Sequence, residues 1–70
     1  MANENYVKAL SNVYDLTIKA RKWAYTPVLT KDESLTPEQR THLAELSGKL
    51  SDVINAAERL IYNEVMLGEQ

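Results

Sequence analysis

The chain contains no cysteine and no phenylalanine, one histidine (His42), one tryptophan (Trp23), two glycines (Gly48, Gly68) and two prolines (Pro27, Pro37). Without cysteine there is neither a disulfide nor a thiolate metal site. A single histidine leaves no multi-histidine metal site within one chain, and two separated glycines cannot build a glycine-rich phosphate loop. No apolar run approaches the roughly 18 residues of a membrane span. Residues 1–5 lack the basic and apolar regions of a signal peptide, so the expected compartment is the cytoplasm, with no membrane partner. Paired carboxylates and a nucleophile beside a base are also missing from the pattern. No catalytic residue, cofactor or metal ligand is therefore assigned, and an enzyme is the least expected class.

Charge of one sign is scarce as well. The net charge is −2, with acids and bases interspersed, which attracts no polyanion from a distance and disfavours nucleic acid as a partner. The apolar share of 44% is that of an ordinary folded protein, so disorder is not expected. Yet a chain of 70 residues makes one small domain, burying only about 60% of the surface its unfolded form exposes. Small domains close that gap with disulfides, metals or association. Here association, or unusually good helix packing, is what remains.

Few chain breakers favour helix, and both prolines fall in one window, residues 26–36, that divides the chain in two. In the first half Tyr6, Leu10, Val13, Thr17, Ala20 and Ala24 recur at spacings of four and three. One flanking row holds Val7, Tyr14, Ile18 and Tyr25, and the other holds Ala9, Leu16 and Trp23. Together they predict a helix over residues 3–25 with an apolar arc of roughly 220°, about twice that of an ordinary surface helix. Pro27 disfavours helical geometry at Thr26 and marks the expected end. In the linker, Thr30-x-x-Glu33 offers a capping box for one short helical turn. Val28, Leu29 and Leu35 are available to plug the end of the hairpin.

The second helix has an explicit start: Thr36 as N-cap, Pro37 at the first helical position and Gln39 completing a Thr-x-x-Gln capping box. From there Leu43, Leu46, Leu50, Val53, Ala57, Leu60, Glu64 and Leu67 alternate by three and four, thickened by Ile54, Ile61 and Val65. Gly48 lies on the polar side and leaves the apolar phase unchanged. The expectation is one helix over residues 37–67 ending near Gly68, with a break at Gly48 as the alternative.

The fold class that follows is all-α: an antiparallel hairpin of two long helices that dimerises into a four-helix bundle. The helices differ by about nine residues, roughly 13 Å. Helix 1 should then reach only to Glu58, leaving the apolar turns from Leu60 to Leu67 overhanging. Self-association is assigned to Leu10, Tyr14, Ile18, Leu50, Val53, Leu60, Ile61, Val65 and Leu67.

Two charges interrupt the apolar faces, Arg21 and Glu64. Each can snorkel to water, the two can pair across a subunit interface and fix its register, or Arg21 can anchor an external acidic partner. Lys19, Arg21, Lys22, Trp23 and Tyr25 form the sole basic-aromatic cluster and are the partner-binding candidates. Trp23, at the edge of the arc, leads, because Trp, Tyr and Arg are the usual anchors of protein interfaces. His42 reads as an exposed partner of Glu38.

The function these features point to is that of a small self-associating helical protein that binds another protein and regulates or inhibits it. Compact, motif-poor, cysteine-free chains of this kind often serve as accessory proteins in bacteria and their phages. A nucleic-acid-binding regulator using the basic-aromatic end of helix 1 and a structural assembly subunit are the two alternatives.

Overall fold

A computed structural model describes residues 3–68. It holds two helices packed against each other, α1 (Glu4–Leu29) and α2 (Pro37–Gly68), with no strand among the described residues. The pair is a rod of 52 × 14 × 13 Å with a radius of gyration of 15.8 Å. A compact chain of this length would measure about 11 Å.

Both helix starts are capped by side chains. The Asn3 side chain accepts from the Tyr6 amide at 3.1 Å. At α2 the capping box is reciprocal: the Gln39 amide donates to Thr36 Oγ1 (3.0 Å) and the Thr36 amide to Gln39 Oε1 (2.8 Å). Gly48 does not break α2, which runs unbroken from Pro37 to Gly68.

Helix α1 overruns its expected end by one turn, with Pro27 inside it. A proline near a helix end removes one amide, leaving the Trp23 carbonyl without its helical partner. Against that single loss, Thr26 Oγ1 donates to the Lys22 carbonyl (2.7 Å), and both Pro27 and Val28 become half-buried. The helix closes in a Schellman motif: the Asp32 amide reaches the Pro27 carbonyl (3.0 Å) and the Lys31 amide the Val28 carbonyl (3.3 Å). Lys31, with φ 51°, occupies the left-handed position that usually holds glycine. This closure overturns the expected helical turn at Thr30-x-x-Glu33. Thr30 is the C-cap of α1, and its hydroxyl donates back to the Thr26 carbonyl. Residues 30–36 are held instead by Arg40, whose Nη1 donates to the carbonyls of Asp32 (2.8 Å) and Leu35 (2.9 Å). Val28 and Leu35 cover the hairpin end, whereas Leu29 is exposed.

The extra turn shortens the overhang. The Asn3 amide donates to the Glu64 carboxylate at 2.9 Å, so α1 begins opposite Glu64 and not Glu58. Ile61 and Glu64 are half-buried against α1, and only residues 65–68 of α2 project beyond that bond.

The seam between the helices is narrow. Buried are Thr17 and Ala24 from α1 and Ser47, Ile54 and Ala57 from α2. Along α1 the seam follows Val7, Leu10, Tyr14, Thr17, Arg21, Ala24 and Val28; along α2 it follows Arg40, Leu43, Ser47, Leu50, Ile54, Ala57, Ile61 and Glu64. Both rows alternate by three and four, the 3.5-residue period of side-by-side helices. The α2 row differs from the one expected. Leu43, Leu50, Ala57 and Glu64 are shared, but Ser47, Ile54 and Ile61 face α1 where Leu46, Val53 and Leu60 had been placed.

Candidate functional site: two faces of the hairpin

In an antiparallel pair of right-handed helices, the residues just before the seam positions on both helices fall on one side of the pair. Those just after fall on the other. The hairpin therefore has two faces, and only one of them carries an unbroken apolar stripe. On the preceding side α1 presents Tyr6, Ala9, Val13, Leu16, Ala20, Trp23 and Pro27, an unbroken apolar stripe. From α2 come Leu46, Val53, Leu60 and Leu67, one every seven residues, with His42, Lys49, Ala56 and Asn63 flanking. Eight large apolar side chains of this face are more than two-fifths exposed, Leu16 at 64% and Trp23 at 70% being the extremes on α1. The following side is mixed: Lys8, Ser11, Asp15 and Lys22 alternate with Ile18, Tyr25 and Leu29 on α1, and Thr41, Ser51, Asn55 and Glu58 with Ala44, Gly48, Tyr62 and Val65 on α2. Tyr25, Leu29, Tyr62 and Val65 are exposed there too.

The hairpin seam thus takes Leu10, Tyr14, Leu50 and Ile61, all half-buried within one chain. Val53, Leu60, Val65 and Leu67 are exposed, and Ile18 looks onto the mixed face. Arg21 and Glu64 are tied up separately, Glu64 near the end of the rod and Arg21 near its middle. Glu64 receives the Asn3 amide, whereas Arg21 Nη1 donates to Ser51 Oγ at 3.3 Å. The 18 helical residues between Asn3 and Arg21 separate the two by roughly 27 Å.

Protein-family models, curated proteins and solved structures yield no match to this chain. What the faces can do follows from their own chemistry.

The basic-aromatic cluster is divided by helical geometry. Arg21, Lys22 and Tyr25, with Ile18, Ser47 and Ser51, line a groove of about 470 Å³ on the mixed face. Lys19 and Trp23 turn away from it and, with Lys22, Thr26 and Pro27, line a shallow hollow of about 610 Å³ on the outside of α1. His42 is exposed. Among the described residues no cluster of three or more His, Asp or Glu side chains is placed to hold a metal ion, and no helix is long and apolar enough to cross a membrane.

Sequence periodicity misses the groove, because Ser47 and Ser51 carry no apolar signal. The clue lies in α2, where the seam position between Leu43 and Leu50 is a serine and a second serine follows one turn later. Small polar residues at core spacing mark a hollow opposite whatever stands across from them, and Arg21 stands there.

Proposed function

We propose that this chain is a self-associating helical binding protein. Two copies join through the apolar face into a four-helix bundle, and the assembly docks on another protein, which it regulates or inhibits. The observation that carries this is the surface left over. The single hairpin exposes 5525 Å². A compact protein of 8.0 kDa exposes roughly 4,450 Å², so the excess is about 1,100 Å². A stable protein interface removes about 800 Å² from each partner, so the excess is enough to supply one. The stripes also point the right way. Leu46, Val53 and Leu60 on α2 and Tyr6, Val13 and Ala20 on α1 flank the seam on one side, where the core of a four-helix bundle forms.

The alternative of a nucleic-acid contact draws on Lys19 and Lys22 beside the exposed Trp23 ring. It is disfavoured by the net charge of −2.

Sedimentation equilibrium tests the reading. The wild-type chain should sediment at twice its 8.0 kDa mass at micromolar concentration, and Val53→Glu combined with Leu60→Glu should give a monomer with reduced helicity. A wild-type chain that stays monomeric and fully helical overturns self-association, and masses that grow without limit favour the assembly-subunit alternative.

A further inference from the structure

Arg21 occupies a seam position, between Thr17 and Ala24 on α1, that an aliphatic side chain would fill at lower cost. It is half-buried. Its guanidinium carries five N–H donors, and Ser51 Oγ is the acceptor it meets among the described residues. Ser51 is itself fixed, because its hydroxyl donates to the Ser47 carbonyl at 3.2 Å. Its remaining lone pairs are therefore what Arg21 meets. The groove beside them holds the Lys22 ammonium as a second cation, and no carboxylate is among its lining groups. Ile18 and the Tyr25 ring supply apolar walls.

We propose that this groove receives the carboxylate of an acidic segment of a partner protein. The Arg21 fork grips the carboxylate with Lys22 alongside, and Ile18 and Tyr25 hold the side-chain stem and an adjacent apolar residue. A planar guanidinium matches a carboxylate with two parallel hydrogen bonds, a contact neither water nor the Ser51 hydroxyl reproduces. A protein segment fits better than a polyanion. The groove offers two cations at one point rather than the track of them that a run of phosphates needs. The groove opens on the mixed face, away from the apolar stripes, so self-association leaves it free and gives a dimer two such sites. The proposal rests on the binding-protein reading above but not on the dimer.

The probe is an end-blocked Glu-Leu-Glu peptide titrated into the isotope-labelled full chain, with amide shifts followed by NMR. Saturable shifts should cluster at Ile18, Tyr25, Ser47 and Ser51. Affinity should fall about tenfold for Gln-Leu-Gln and for Arg21→Gln, the loss of a charge-assisted pair of hydrogen bonds. Lys22→Gln alters an exposed residue that leaves the seam intact, and it should weaken binding several-fold should Arg21→Gln unfold the hairpin. The proposal is overturned by shifts that do not saturate, by equal binding of the glutamine peptide, by inorganic phosphate binding as tightly as the peptide, or by a short single-stranded DNA that outcompetes it. Sedimentation of the same samples separates the two claims. A dimer without peptide binding fails this site alone, and a monomer that binds the peptide fails the self-association alone.

Discussion

In the inter-helix turn the Asp32 carboxylate is held by its neighbour Ser34. The Ser34 hydroxyl donates to its carboxylate at 2.6 Å and the Ser34 amide at 2.9 Å, and together with the nearby Arg40 charge they hold its pKa below the ordinary value of 3.8. A carboxyl whose folded pKa is depressed stabilises the fold above its unfolded pKa, and the contribution fades as pH falls through the lower folded value. Asp32→Asn keeps an acceptor for Ser34 but loses the charge. The stability difference between wild type and this variant, followed by chemical denaturation, should be constant above about pH 5 and shrink as pH drops below about 4. A difference independent of pH would show that the charge of Asp32 plays no part. The carboxylate is fully exposed, so screening by salt should reduce the effect.

Most of α1 and α2 is legible in the amino-acid sequence, and what is not legible has local physical causes. The Thr36–Gln39 capping box was legible because its two hydrogen bonds need no partner beyond the helix's own first turn. The end of α1 was not, because the rule for a residue before proline weighs one lost amide and a steric clash. Here Thr26 and half-burial of Val28 offset both. The seam of α2 was misplaced by about half the angle between neighbouring rows. Periodicity finds the most apolar stripe, and that stripe bisects the direction to α1 and the direction to the open face. Of those two directions, only the one toward α1 is filled within the chain.

Two positions in these elements work against their own backbone, and exchanging their residue types should stabilise the hairpin. Lys31 adopts a left-handed conformation that costs a side-chain-bearing residue about 1–2 kcal/mol. Gly48 lies in mid-helix, where a Cβ would meet nothing within 4 Å. Gly48→Ala should gain about 1 kcal/mol and Lys31→Gly about 0.5–1 kcal/mol, after the entropy that glycine adds to the unfolded chain. For a domain of this size each should raise the melting temperature by a few degrees in circular dichroism. A fall in melting temperature at Lys31→Gly would mean that the Schellman closure is not how the helix ends in solution.

At the scale of the whole molecule the two outer flanks of the apolar face are unequal, and this sets how a second copy should lie. The α1 flank is Ala9, Leu16 and Trp23, whereas the α2 flank is His42, Lys49, Ala56 and Asn63. Laying α1 against α1 of the partner buries apolar flank on apolar flank and leaves Lys49 and His42 at the rim. Laying α1 over the partner's α2 would press Trp23 and Leu16 onto that polar row. The first arrangement is antiparallel, with the two inter-helix turns at opposite ends and the two-fold axis near the middle of Glu4–Leu29, close to Leu16. Because the chain has no cysteine, a single Leu16→Cys reports on this directly. A disulfide needs Cα atoms within about 7 Å, which only residues near the axis satisfy. Under mild oxidation Leu16→Cys should convert to covalent dimer, whereas Trp23→Cys, about 10 Å along the helix from the axis, should not. If the Leu16→Cys chain sediments as a dimer yet resists oxidation, α1 lies over the partner's α2 and the flank argument is wrong.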